Sequence, residues 1–373
     1  MTHHNHPDRN KHHITVLAPA RTCLFGDHQD YLYLPVIACA INRHITLEAR
    51  AENQRTFQID LPDMGENKTI ALDEDFSKGV KGDHLLSGFK VFKDLGGSIS
   101  SGYHITIKGN VAINAGISSS SAVMVAWITF LLKAGDHPRS NDREFIAQLA
   151  YTAEVTEQDS PGGRMDQYSI ALGNIMFLET GENGRYQLFE KQIPGLIVGE
   201  SGIPKPTLSL LGDLRSKAWK AIEEIRQKLP DFRISEIQPE ALTEYLPLVS
   251  NPLRPVFEAA VRNHAITMEA LKEIENDPMD MTRIGELMNQ HHEILDKLLG
   301  ITVPLIDRMT DAALSAGALG TKIVGSGLGG SIIALAREED VQKVIAAIKD
   351  AGARDAYAVQ TDPGVRVKNT SDE

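Results

Sequence analysis

A short loop followed by a run of serines constrains this chain more than any other feature. Residues 110–121, called the serine loop below, read NVAINAGISSSS and lead into an apolar stretch. A strand candidate, 103–108, comes directly before them, so the local order is strand, glycine loop and helix. Backbone N–H groups at a helix N-terminus bind anions, and serine hydroxyls add donors. The segment predicts a phosphate site, although a serine N-cap on an ordinary buried helix would look similar.

Length and charge limit the classes of function that remain. A chain of 373 residues is long enough for two packed domains, and its formal charge of −12 argues against nucleic-acid or anionic-membrane partners. The longest apolar run, 122–132, is about half the length needed to cross a bilayer. The polar start of the chain does not resemble a signal peptide, so we expect a cytoplasmic protein.

Hydrophobic periodicity divides the chain into two parts. Residues 1–13 are His-rich and predict a solvated, flexible tail. Strand and helix patterns alternate up to about residue 200, whereas long amphipathic helices begin near residue 209 and alternate with a few strands near the end. We therefore expect an N-terminal domain over 14–200, a C-terminal domain over 201–365, and a second tail over 366–373.

Known nucleotide motifs of other folds do not explain the serine loop. The chain has no Walker A sequence, and the GSGLGG of residues 325–330, called the glycine turn below, satisfies GxGxxG only formally. The apolar residues that follow it, 331–336, indicate a strand rather than the helix that a dinucleotide fold requires. A tight turn that closely approaches a ligand or a neighbouring loop is the simpler interpretation.

Three motifs in a fixed order resemble the GHMP kinase superfamily, which contains galactokinase, homoserine kinase, mevalonate kinase and phosphomevalonate kinase. They are APARTCLFGDHQDY at 18–31, the serine loop, and GTKIVGSGLGG at 320–330. The resemblance covers roughly residues 14–365. It implies an α+β fold of two domains, the first ribosomal-protein-S5-like and the second ferredoxin-like and helix-rich. It also implies ATP and Mg²⁺ as cofactors and a small sugar-like substrate, bound by a monomer or homodimer.

Within the superfamily the chain is a mosaic. SPGGRMDQ at 160–167 and HQDY at 28–31 resemble galactokinase, whereas LPVIACAI at 34–41, SGIPKPT at 201–207 and GALGTK at 317–322 are similar to mevalonate kinase. Mevalonate carries a carboxylate that Asp30 would repel, whereas a neutral polyol can donate hydroxyl protons to Asp30. We therefore expect a galactokinase-like sugar kinase. A mevalonate-like kinase and a non-catalytic sugar- or ATP-binding regulator are the alternatives.

The resemblance assigns a role to individual residues. Asp166 would be the general base, and Arg21 would stand between it and the transferred phosphate. Ser121 and Glu154 would hold Mg²⁺. The residues expected around ATP are Asn114, Ala115, Gly116, Ile117, Ser118, Ser119, Ser120 and Ser121, and those expected around the sugar are Asp27, His28, Asp30, Gly163 and Gly327.

Three departures from the galactokinase pattern fall near the expected sugar site. Asp27 replaces the usual glutamate, Ala20 stands where a glycine is usual, and YLYLP at 31–35 replaces an Asn-Gly or Asp-Gly continuation. Galactose, another hexose, a uronic acid, a pentose and an N-acetyl sugar all remain open as substrates.

Overall fold

In the part of the chain that the structure describes, the helices pack with two β-sheets. The computed structural model describes residues 13–113, 115–181, 184–204 and 207–368. The first sheet is formed by β1 (His13–Phe25), β2 (Val36–Glu52), β3 (Thr56–Leu61), β4 (Glu66–Ala71), β5 (Gly102–Gly109), β6 (Ile175–Leu178), β7 (Tyr186–Phe189) and β12 (Arg366–Lys368). The second is formed by β8 (Leu196–Glu200), β9 (Ala318–Val324), β10 (Ser331–Ala336) and β11 (Asp355–Ala358).

The helices divide in the same way between the two halves. Those of the first half are α1 (His84–Asp94), α2 (Ser119–Ala134), α3 (Arg143–Tyr151) and α4 (Met165–Leu172). Those of the second half are α5 (Thr207–Arg226), α6 (Leu242–Tyr245), α7 (Arg254–Glu275), α8 (Met281–Lys297), α9 (Pro304–Ser315) and α10 (Val341–Asp350). Within the described ranges, none of them is both long and apolar enough to cross a membrane.

The long hairpin of β1 and β2 positions the first of the three motifs, residues 18–31. Alternate residues of β1 are buried near its start, and Val16 pairs with Leu47 across the antiparallel ladder. The register shifts between Pro19 and Ala20, where proline has no N–H to donate to the ladder. The connecting segment of the hairpin, residues 26–35 (the β1–β2 loop), therefore lies at the end of the ladder between the two strands.

The serine loop has the predicted surroundings. It runs from the end of β5 into α2, and Ser118 is the residue immediately before the helix. Helix α2 is buried along most of its length, and its Trp127 packs edge-on against Phe57 and donates a hydrogen bond from Nε1 to the carbonyl of Leu85 (2.8 Å). This aromatic core fixes α2, and with it the loop at its N-terminus.

Two strands pair across the boundaries that the sequence predicted for the two domains. Strand β8 was expected in the N-terminal part, but it pairs with β10 and β11 of the second sheet. Strand β12 pairs with β1, and its residues 366–368 were expected in a tail. The assignment of residues 1–12 and 369–373 to tails falls outside the described residues, while His13 already belongs to β1. The domain boundaries stay a prediction, and the pairing of β8 favours a division before Leu196.

A core substitution tests this architecture. Phe57 has no exposed surface and contacts the rings of Phe89, Trp127 and Phe130. Phe57→Ala should lower the free energy of unfolding by about 3–5 kcal/mol, since it leaves a cavity among these rings. Urea unfolding followed by circular dichroism measures the change. Met64→Ala, at a side chain that is 56% exposed, should stay within about 0.5 kcal/mol of the parent; equal losses in the two variants would contradict the assigned core.

Candidate active site

A cleft of about 800 Å³ gathers most of the residues that the sequence singled out. It lies where the β1–β2 loop, the serine loop, the start of α4 and the glycine turn converge. The predicted site residues among those that line it are Arg21, Asp27, His28, Asp30, Ala115, Gly116, Ser118, Ser119, Ser120, Ser121, Glu154, Gly163 and Asp166.

Asp166 and Arg21 form an ion pair at the centre of the cleft. Asp166 lies in the first turn of α4, and its Oδ1 accepts a hydrogen bond from Nε of Arg21 (2.8 Å). Burial alone would lower the pKa of Arg21, but Asp166 raises it overall. The guanidinium therefore stays charged although it is buried, and this charge favours the ionised carboxylate of Asp166.

Two hydrogen bonds tie the serine loop to this pair. Nη1 of Arg21 donates to the carbonyl of Gly116 (2.8 Å), and Oγ of Ser118 donates to Oδ2 of Asp166 (2.5 Å). Ser118 has a left-handed backbone with φ of 59°, so its side chain does not cap α2. The hydroxyl points instead to the carboxylate of Asp166. One carboxylate oxygen thus accepts from Ser118 of the serine loop, and the other accepts from Arg21 of β1.

A second carboxylate, Glu154, lies beside the serines. It belongs to a single π-helical turn, Thr152–Thr156, that follows α3; such turns often occur at functional sites. Its Oε2 accepts a hydrogen bond from Nε2 of Gln167 (2.7 Å). Burial raises the pKa of Glu154, and hydrogen bonds from Gln167, Ser121 and Ser120 oppose that rise.

The oxygen atoms around Glu154 suit Mg²⁺. One carboxylate and two serine hydroxyls are hard donors, and Mg²⁺ in nucleotide sites keeps several waters and takes the remaining ligands from phosphates. Among the described residues, no three His, Cys, Asp or Glu side chains form a cluster that could hold a metal. An all-protein cage is therefore absent from this part of the chain, whereas the Glu154 and serine donors fit a metal that is shared with a phosphate.

Asp27 lines the cleft but is almost fully buried, and both of its carboxylate oxygens are bound within the protein. Its Oδ2 accepts from Nζ of Lys322 (2.6 Å) and its Oδ1 from the backbone N–H of Gly325 (2.7 Å). Although burial would raise the pKa of Asp27, Lys322 and these hydrogen bonds lower it to about 2. The carboxylate is thus ionised and used within the protein, and its expected contact with a sugar stays a prediction.

Asp30 faces the space next to Asp166. A Cβ atom built on Gly163 would lie 2.2 Å from Oδ2 of Asp30, so only glycine lets the two segments approach this closely. Burial first, and then the charge of Asp166, raises the pKa of Asp30 to about 6. His28 lies on the same loop, with Nε2 donating to the carbonyl of Ser326 (3.2 Å).

Two of the predicted residues do not line the cleft. Ile117, within the serine loop, is buried, and its carbonyl accepts a hydrogen bond from the N–H of Arg21 (3.2 Å). Gly327 packs against Ile301 instead of lining the cleft, and Asn114 lies outside the described residues. Sequence reasoning gave no role to several residues that do line the cleft: Gly82, His84, Gln158, Asp159, Leu211 and Ser326. Most of them reach it from loops and helices outside the quoted motifs, whereas Ser326 lies in the glycine turn, which was singled out for its glycines.

Comparison with known proteins points to one superfamily. Residues 84–174 match the GHMP kinases N terminal domain, residues 267–354 match the GHMP kinases C terminal family, and residues 2–51 match the galactokinase galactose-binding signature. Together the matched segments span more than half of the chain.

Individual relatives divide between two activities. Galactokinase of Haemophilus influenzae is 26% identical over 385 aligned residues, which cover 97% of each chain. Mevalonate kinase of Pyrococcus horikoshii is 28% identical over 375, covering 96% of this chain and 99% of the relative. The crystal structure of Lactococcus lactis galactokinase complexed with galactose superposes with a TM-score of 0.83 at 22% identity, over 95% of each chain. This superposition shows the shared fold.

The elevated pKa of Asp30 has a measurable consequence for stability. An aspartate in an unfolded chain titrates near pH 3.9, whereas Asp30 in the folded protein titrates near 6. Folding therefore becomes less favourable as the pH rises from about 4 to 6, and the full penalty is present above that range. Asp30→Asn removes the charge but keeps the oxygen that accepts from the N–H of Tyr31.

We expect Asp30→Asn to be more stable than the parent at pH 8 and the difference to shrink toward pH 4. Urea unfolding at a series of pH values measures it. The same exchange at exposed Asp73 is the matched control. A difference for Asp30→Asn that is constant with pH would show that its pKa is not raised.

Proposed function

The chain belongs to the GHMP kinase superfamily, and we propose that it transfers the γ-phosphate of ATP to a hydroxyl group of a monosaccharide, as a galactokinase-like enzyme. One observation carries the proposal. Asp166 is held between Arg21 and Ser118 at the point where the serine loop meets the β1–β2 loop. A base, a cation and a phosphate-binding loop thereby stand next to a pocket for the acceptor.

The proposed chemistry follows from this geometry. The acceptor hydroxyl, which we take to be the anomeric one, attacks the γ-phosphorus and passes its proton to Asp166, while the bond from the γ-phosphorus to the β–γ bridging oxygen breaks and ADP leaves. Arg21 keeps Asp166 ionised and balances the negative charge that develops on the transferred group. Backbone N–H groups of residues 115–121 bind the phosphates at the N-terminus of α2.

Glu154, with Ser121 and Ser120, would hold Mg²⁺. When bound, the metal neutralises charge on the phosphates. Gln167 orients Glu154 through the hydrogen bond between Nε2 and Oε2, and Ser121 and Ser120 line the cleft with the same carboxylate and oppose the rise of its pKa.

The charges around the acceptor favour a neutral sugar. Asp30 and Asp166 are close enough for one to raise the pKa of the other. A polyol can donate a hydroxyl proton to each carboxylate, whereas the carboxylate of mevalonate would be repelled by both. Mevalonate is the second candidate, because mevalonate kinases align over nearly the whole chain. A location in the cytoplasm and a monomeric or dimeric state stay predictions.

A panel of acceptors tests the proposed class of substrate. ATP consumption is measured with free hexoses, pentoses, N-acetyl sugars, uronic acids and mevalonate, each with and without Mg²⁺. We expect Mg²⁺-dependent turnover with at least one neutral sugar and release of a sugar phosphate in equal amount. Turnover with mevalonate alone would replace the sugar assignment, and no turnover with any acceptor would favour a non-catalytic binding protein.

Replacement of the proposed base gives a second test. A positioned general base contributes roughly 10²- to 10⁴-fold to rate, so Asp166→Asn should lower kcat by about that factor. The amide keeps the shape of the side chain, and we expect the Kd for ATP, measured by calorimetry, to change little. An Asp166→Asn enzyme with nearly normal kcat would show that another group removes the proton.

A further inference from the structure

A buried ion pair joins the two halves of the protein behind the cleft. The side chains of Asp27 and Lys322 are 1% and 0% exposed, and they are separated by 295 residues in the sequence. Lys322 lies on β9 and donates from Nζ both to Asp27 and to the carbonyl of Cys23 (3.0 Å) at the end of β1. One ammonium group therefore holds the end of β1 and the start of the β1–β2 loop against the second sheet.

The surroundings of this pair make it sensitive to the loss of either charge. His291 on α8 is fully buried, and neither of its ring nitrogens has a hydrogen-bond partner among the described residues. Burial first, and Lys322 second, lower its pKa to about 3, so the ring is neutral. His291 is thus neutral while Lys322 is present, and removal of Lys322 would leave the buried carboxylate of Asp27 without the cation to which it is hydrogen-bonded.

The pair also fixes the positions of His28 and Asp30, which form the proposed acceptor side of the cleft. Asp27 is followed directly by His28 and, three positions later, by Asp30. The glycine turn is held to the same loop twice, by Gly325 donating to Asp27 and by His28 donating to the carbonyl of Ser326. A shift of Asp27 would move His28 and Asp30 together relative to Asp166.

The serine loop is anchored by other hydrogen bonds. Its Ile117 carbonyl accepts a hydrogen bond from the N–H of Arg21, and its Ala115 carbonyl accepts one from Oγ of Ser331 (2.6 Å). Neither of these bonds involves Asp27 or Lys322. The phosphate end of the cleft can therefore keep its shape while the acceptor end moves.

We propose that Lys322 is a positioning residue for the phosphotransfer, which fixes the β1–β2 loop through Asp27 so that the acceptor hydroxyl meets Asp166. In this role Asp27 acts through Lys322 and does not contact the acceptor. The inference rests on the proposed function for the presence of an acceptor and of Asp166 as its base.

Three variants separate positioning from folding: Lys322→Met, Asp27→Asn, and the two changes combined. The double variant removes both charges and so leaves no buried charge without its partner. Thermal unfolding reports which variants are folded at the assay temperature. The KM for the acceptor, the KM for ATP and kcat are then measured with whichever acceptor the parent enzyme phosphorylates, so that a wrong choice of sugar does not affect the result.

In the folded variants, we expect kcat/KM for the acceptor to fall about 10- to 100-fold, mainly through KM, since small displacements of a binding group have effects of this size. The KM for ATP should stay within about twofold of the parent value. The double variant should recover thermal stability relative to Lys322→Met and still bind the acceptor weakly.

Lys191→Met is the matched control, because Nζ of Lys191 also donates to backbone carbonyls, those of Ile274 and Asn276, but lies outside the cleft lining. It should leave both KM values unchanged. Three results would overturn the inference: a folded double variant with parental acceptor KM, a parallel rise of the KM for ATP, or failure of all three variants to fold, which would assign the pair to stability alone. If the parent enzyme turned over no acceptor, the proposed function itself would be wrong. That result would be known before the variants are compared.

Discussion

The guanidinium of Arg21 holds together the parts on which the cleft depends. Arg21 lies on β1, the strand that leads into the β1–β2 loop. Its Nε binds Asp166 of α4, and its Nη1 binds the carbonyl of Gly116. Because one cation binds both the carboxylate of Asp166 and the carbonyl of Gly116, the position of α4 depends on the position of the serine loop. The cost of burying the charge is offset by hydrogen bonds that a solvent-exposed arginine would not keep in one arrangement.

Sequence motifs located the polar groups of the cleft because each motif is local. Arg21, Glu154 and Asp166 were identified from short segments rich in glycine, serine and charge, and all three line the cleft. The superfamily and its α+β fold were likewise predicted from three motifs, and the family matches confirm them. The roles of the individual residues stay predictions, because the matches do not test them.

Long-range pairing could not be predicted in this way. Lys322 was part of a quoted motif, yet nothing in the sequence shows that its partner is Asp27, because hydrogen bonding across 295 residues depends on how the two sheets meet. Strands β3 and β4 and helix α1 were missed as well, although a Pro-Asp-Met-Gly turn at 62–65 joins the two strands and Asp83 caps the helix. β4 is a mostly polar strand at the end of its sheet, so its hydrophobic pattern is weak. Strand β8 was expected at the end of the N-terminal half and pairs within the second sheet, since a short apolar strand fits either sheet until its partners are known.

The π-helical turn at Thr152–Thr156 has a consequence for how the position of Glu154 is encoded. A π turn contains one more residue than the α turn it replaces, so the direction of every side chain after α3 depends on the number of residues in this segment as well as on their identity. Loss of a single residue there would restore regular α spacing and rotate the following side chains by about 100°. The direction of the Glu154 carboxylate therefore depends partly on the number of residues in this turn. A comparison of residue types at aligned positions does not detect that dependence.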